Sequence, residues 1–212
     1  MSLPAAKYVR VEDYLAFENA SDTKHEYMDG VVYPWGDPDH PLDPEVVLGL
    51  RPEPRAAMAG GTRVHSRIKV NLTSVIDRHL GDGRCRLYDS DLRVRPDGGQ
   101  YFYPDLFVVC ADDHGAHTDT EVDNPTLVIE VLSPATERVD RVSKLRRYAN
   151  APSLREYMLV NSMFPEVMVR RLEHGQWLTA VHEPDEVVHL TSIGLELDFA
   201  TIYRNVVWPS GD

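Results

Sequence analysis

Apolar residues recur along this chain at two spacings, and the alternation between them predicts a mixed α/β fold. A short helix is expected around VEDYLAFEN, then a strand HEYMDGVVY. Thr62 is placed to cap a long helix that carries Val64, Ile68, Leu72, Val75, Ile76 and Leu80 along one face, and the glycines of GDGRC end it. CRLYDSDLRVR alternates as a strand, with Leu87, Asp89, Asp91 and Arg93 on one side and Tyr88, Ser90, Leu92 and Val94 on the other. The turn PDGGQ then reads as a hairpin connection into YFYPDLFVVC. Leu127, Val128, Ile129, Val131 and Leu132 form a nearly continuous apolar run, and a helix capped by Thr136 follows from about Glu137. LREYMLV, EVMVRRLE and QWLTAVHE predict three further strands, the last two joined by a His-Gly turn. ELDFATIYRNVVWP predicts a last strand, a helical turn and a tail. The prolines between Pro34 and Arg55 predict a loop inserted at about 34–56 and near the mouth of any site, within one domain spanning 1–212.

Two carboxylates break this pattern. Glu130 interrupts the apolar run, and Asp105 follows Pro104 at the entry of another strand. An ionised Glu buried alone is strongly unfavourable, so Glu130 requires a partner, a metal or an open edge. The plainer alternatives are a strand end reaching solvent for Glu130 and a Pro-Asp turn for Asp105. On the helix that follows, Asp140, Lys144 and Tyr148 lie at i, i+4 and i+8 on one stripe. Val139, Val142, Leu145 and Ala149 form the opposing apolar face, which keeps Lys144 out of the core. The plain reading of Lys144 is a solvated partner of Asp140.

The segments KHEYMDGVVY, AMAGGTRVHSRIKVNL, CRLYDSDLRV, YFYPDLFVVC, TLVIEVLSPATERVDRVSKLRRYA and LREYMLV, in that order, resemble the PD-(D/E)XK nuclease superfamily and within it the Uma-two family of restriction endonucleases. The resemblance implies a restriction-endonuclease-like mixed sheet flanked by helices. It also implies a Mg²⁺ (or Mn²⁺) ion held by Asp105, Glu130 and the backbone carbonyl of Val131, and a hydrolase acting on DNA. The superfamily's lysine two residues beyond the Glu is absent, since Leu132 stands there, and Lys144 occupies the position to which the family moves it. His65 and Glu26 match family positions that face the active site, and Asp91 is a candidate supporting carboxylate.

Composition changes this picture in one respect. Lys and Arg total 22 against 34 Asp and Glu, a net charge of −12, with a pI near 5.1. A phosphate backbone is gripped largely through basic side chains, so the average charge opposes nucleic-acid binding. The distribution is more favourable: Arg63, Arg67, Lys69 and Arg78 lie on the first long helix, and Arg138, Arg141, Lys144, Arg146 and Arg147 on the second. The two cysteines, Cys85 and Cys110, are expected to be reduced, buried thiols. His114 and His117 sit in an acidic loop that does not read as a zinc site. No apolar stretch approaches a membrane span and MSLPAAKYVRVEDY lacks a signal-peptide core, so a cytoplasmic protein is expected. The need to grip two strands, together with the resemblance, predicts a homodimer. Three functions remain in competition: a Mg-dependent endodeoxyribonuclease, a nuclease-fold binding module with impaired cleavage, and an acidic structural dimer.

Overall fold

The computed structural model describes residues 8–53, 61–96, 99–110 and 120–208. In chain order the elements are α1 (Val11–Ala20), β1 (His25–Met28), β2 (Val31–Pro34), α2 (Pro44–Val47), α3 (Arg63–Leu80), β3 (Cys85–Asp89), β4 (Arg93–Val94), β5 (Leu106–Cys110), β6 (Glu121–Val122) and β7 (Leu127–Leu132). A π-helical turn, π1 (Val139–Lys144), then runs into α4 (Leu145–Tyr148). The chain ends with β8 (Glu156–Asn161), β9 (Val167–Glu173), β10 (Gln176–His182), β11 (Val187–Leu190), β12 (Leu195–Asp198) and α5 (Phe199–Ile202).

Six strands form the central sheet in the order β10-β9-β8-β7-β5-β3. Within this sheet β7 and β8 are the one parallel pair. A parallel pair needs a crossover, and π1 with α4 supplies it. Thr62 caps α3 as expected, its side chain accepting from the His65 N–H at 3.1 Å. Val64, Ile68, Leu72 and Ile76 bury the apolar stripe of α3 against Leu106, Val108, Ile129 and Val131 on one face of the sheet. Phe107, Val109, Val128, Leu132 and Leu159 point to the opposite face and pack with Val139, Leu145 and Tyr148. Because side chains alternate along a strand, Glu130 falls between Val128 and Leu132 on this second face, toward the crossover helix.

Several expectations are corrected. HEYMDGVVY is a hairpin of β1 and β2 rather than one strand, because Asp29 (φ 50°) and Gly30 (φ 85°) form a two-residue turn in left-handed conformations. CRLYDSDLRVR breaks after β3, where the Asp89 carboxylate accepts from the Asp91 N–H at 3.1 Å, so the shared face assigned to Leu87, Asp89, Asp91 and Arg93 does not persist. The Pro-rich segment contains α2, with Asp43 as its cap and Pro44 in its first turn. Val142 is 65% exposed whereas Lys144 is only 5% exposed, the reverse of the expected apolar face. The wide π turn accounts for this, since it delays the phase of the helix between Val139 and Leu145.

Cys85 and Cys110 are not free thiols. They pair directly across β3 and β5 and form a disulfide, with Cα atoms 4.1 Å apart. Both are half-buried. Among the described residues no helix is long and apolar enough to cross a membrane. His114 and His117 lie outside the described residues.

Candidate active site

The antiparallel register of β5 and β7 sets Leu106 opposite Ile129. Continued by one residue, it sets Asp105 opposite Glu130. The two carboxylates are interlocked through the backbone: the Asp105 N–H donates to Glu130 Oε2 at 3.2 Å, and the Val131 N–H donates to Asp105 Oδ2 at 2.8 Å. Like charges directly opposite on neighbouring strands repel, so this pairing demands positive charge nearby. His65, one turn into α3, places Nε2 3.2 Å from Asp105 Oδ2. Lys69, one turn further on the same stripe, sits 3.9 Å from Asp105 Oδ1.

Lys144 supplies the central cation. Its Nζ lies 2.8 Å from Glu26, 3.2 Å from Asp140 and 3.3 Å from Glu130. Three elements deliver these partners: β1 carries Glu26, π1 carries Asp140 and Lys144, and β7 carries Glu130. The Tyr103 N–H also donates to Glu26 Oε1 at 3.2 Å, tying β1 to the approach to Asp105. The helical spacing of Asp140 and Lys144 is therefore realised, but in a buried cluster rather than a solvated pair.

The cluster is electrostatically unequal. Burial raises the Glu130 pKa, Lys144 opposes it, and the charges of Asp140, Asp105 and Glu26 raise it further, leaving the carboxyl well above its ordinary range. Burial also raises Glu26, with Lys144 opposing it. Asp105 goes the other way: burial would raise it, but the hydrogen bond and charge of His65, the Val131 N–H and Lys69 bring it below the ordinary value. Burial would lower Lys144, yet Asp140, Glu130 and Glu26 hold its pKa well above that of a free lysine, so it stays protonated. For His65, burial again opposes charge, and Asp105 overcomes it to shift the imidazole upward.

Glu26, His65, Asp105, Glu130, Val131, Asp140 and Lys144 all line one cleft of about 310 Å³. Trp35, Gly36 and Pro38 from the Pro-rich segment form part of its wall, as expected of a loop at the site mouth. Tyr148 is fully buried behind the cleft and packs on Phe102 and Tyr157. Asp91 is not brought to the carboxylates. Its side chain is 81% exposed and pairs with Lys24 at 2.6 Å. Sequence reasoning named Lys69 only as a basic helix residue and did not single out Trp35. The i+4 spacing from His65 was the available signal for Lys69.

Residues 53–200 match the family described as "Putative restriction endonuclease" (Uma2). The chain belongs to the Uma2 family. A Synechocystis relative, slr1290, is 34% identical over 209 residues, covering 97% of both chains. A second Synechocystis relative, sll1609, is 25% identical over 181 residues, covering 84% of this chain and 89% of its own. The crystal structure of a protein described as a putative nuclease belonging to DUF820, from Anabaena variabilis, superposes with a TM-score of 0.60 at 21% identity, covering 86% of this chain and 91% of that one. That likeness bears out the expected nuclease-like mixed sheet flanked by helices. Uma2 membership and this fold mark the protein as nuclease-like.

Proposed function

We propose that this Uma2 protein is a divalent-metal-dependent endonuclease that hydrolyses DNA phosphodiester bonds, with Asp105, Glu130 and Lys144 as its catalytic residues. The observation that carries the reading is the pairing of Asp105 and Glu130 across adjacent strands at a cleft, with the Lys144 ammonium 3.3 Å from Glu130.

The residues fit a hard cation such as Mg²⁺ or Mn²⁺. All candidate donors are oxygens: the carboxylates of Asp105 and Glu130 and the Val131 carbonyl. Among the described residues no three acidic, His or Cys side chains converge as a preformed cage. Mg²⁺ does not require one, since it keeps several waters and commonly binds through one or two carboxylates plus substrate phosphate. The raised pKa of Glu130 marks a carboxylate short of positive charge, which a cation would relieve. When bound, the ion would offset the negative charge on the phosphoryl and leaving oxygens and acidify water.

The chain's own groups carry the remaining work. Lys144 stays protonated, so it acts as a donor and a fixed positive charge, orienting the attacking water and a nonbridging phosphate oxygen rather than abstracting a proton. Glu26 and Asp140 hold that ammonium in place from either side. His65 fixes the orientation of Asp105. Trp35, Pro38 and Val139 line the cleft with apolar surface that limits water. A homodimer would present two such clefts to the two strands of a duplex.

The test pairs Mg²⁺ or Mn²⁺ calorimetry with plasmid nicking at low salt. Wild type is expected to bind the ion and nick, and Glu130→Gln to do neither. Failure of the wild type to bind either ion would sink the reading.

A further inference from the structure

Beside the cleft lies a second, open groove of about 660 Å³ that shares Gly61 and Thr62 with it. We infer that this groove, carrying Arg63, Ser66 and Arg67, is a track for the phosphodiester backbone of the strand whose scissile phosphate occupies the cleft. The inference rests on the nuclease reading above and names where its substrate continues.

The arginines are placed against the ordinary interests of the helix. Arg63 and Arg67 are exposed, sit at i and i+4 on α3, and share a stripe, so they repel one another. Arg63 stands in the first turn, where the helix dipole favours acids, and no acidic residue occupies that turn. Neither guanidinium has an ion-pair or hydrogen-bond partner among the described residues.

Several other arginines of a chain with 34 acidic residues do find an acid. Arg10 is held by Asp13 at 2.8 Å, Arg141 by Glu137 at 2.8 Å, and Arg138 by Asp39 at 2.8 Å. Two unpaired arginines one helical turn apart, on a net −12 body, select an external anion with repeated charges. Ser66 between them and Asn205 across the groove add neutral hydrogen-bonding groups. Continuity with the cleft through Gly61 and Thr62 selects a chain of phosphates rather than a single ion.

The surface also exposes Val70 (51%) and Val207 (82%), so a second copy of this protein is the competing occupant. The experiment measures anisotropy of a short fluorescein-labelled DNA duplex in EDTA across a salt series, for wild type, Arg63→Ala/Arg67→Ala and Arg63→Lys/Arg67→Lys. Each protein's melting curve is recorded as a control on folding. Each phosphate contact contributes about −0.9 to the slope of log affinity against log salt. The double alanine variant is expected to bind more weakly, with a slope shallower by roughly two, and the lysine variant to keep a slope close to wild type.

Mg²⁺ calorimetry of the alanine variant should match wild type, because both arginines lie outside the metal-donor set. An unchanged slope in the alanine variant overturns the groove assignment and leaves the nuclease reading intact. A change of sedimentation mass in that variant with no change in slope assigns the groove to self-association and overturns the proposal. Wild type that binds no duplex at low salt overturns the groove, whereas loss of metal binding would strike the nuclease reading instead.

Discussion

Glu130 and Glu156 occupy adjacent parallel strands, β7 and β8, and are 4% and 0% exposed. Their surroundings differ. Glu156 accepts from Arg171 Nε at 2.6 Å, from the Thr191 N–H at 3.0 Å and hydroxyl at 3.1 Å, from the Ser192 N–H at 2.8 Å, and from the Ser192 hydroxyl. These donors account for the lone pairs of an ionised carboxylate. Among the described residues Glu130 receives only the Asp105 N–H and the shared Lys144 ammonium, and Asp105, Asp140 and Glu26 crowd it with like charge. Burial alone therefore does not mark a functional carboxylate. What sets Glu130 apart from Glu156 is its deficit of donors.

Unequal stability effects are the sharpest way to break the comparison. Glu156→Ala leaves the Arg171 guanidinium and the 191–192 turn without their acceptor, and a loss of about 3–5 kcal/mol is expected. Glu130→Gln removes a charge from a repulsive cluster, so its stability should change by less than about 1 kcal/mol, in either direction. Thermal or urea unfolding of both variants decides the matter, and equal losses would erase the distinction.

Lys144→Met should be intermediate, at about 1–3 kcal/mol, because Glu130 and Glu26 can take up protons once the ammonium is gone. Nicking is expected to vanish while Mg²⁺ binds as tightly as in wild type or tighter, since a competing positive charge has left the site. A variant that instead loses Mg²⁺ binding would assign Lys144 to holding the site together rather than to the reaction.

The smallest expected effect is a pH dependence. The folded pKa of Glu130 is raised, and the proposed ion binds the carboxylate form. Mg²⁺ affinity should therefore rise with pH until the range above Glu130's shifted pKa, by up to about tenfold per pH unit for one released proton. Calorimetry in buffers of different ionisation enthalpy would detect that proton, and its absence would place Glu130 already ionised in the metal-free protein.

Periodicity made the main scaffold legible. The α3 stripe, the run of β7, and the strands β8, β9 and β10 follow from apolar spacing, and the His174-Gly175 turn from its composition. The pairing of Asp105 with Glu130 was legible as two carboxylates at strand ends, whereas their opposition required register. Register was also the missing step for the cysteines: the antiparallel pairing of β3 with β5 puts Cys85 opposite Cys110, yet composition alone suggested separate thiols. Asp91 was assigned by extending strand alternation through Ser90, where a side-chain turn interrupts it. The burial of Lys144 was missed because a regular helix was assumed, and no local signal in VDRVSK announces a π turn.

That turn also works as an aiming device. A π turn amounts to one residue more than a regular helix needs, and each residue advances an α-helix by about 100°. Deleting one position between Val139 and Lys144 would restore a regular helix, but would rotate the lysine relative to its anchors on either side. The wide turn thus sets the direction of one side chain, and through it a cation carried on the crossover helix reaches Glu130 on the neighbouring strand.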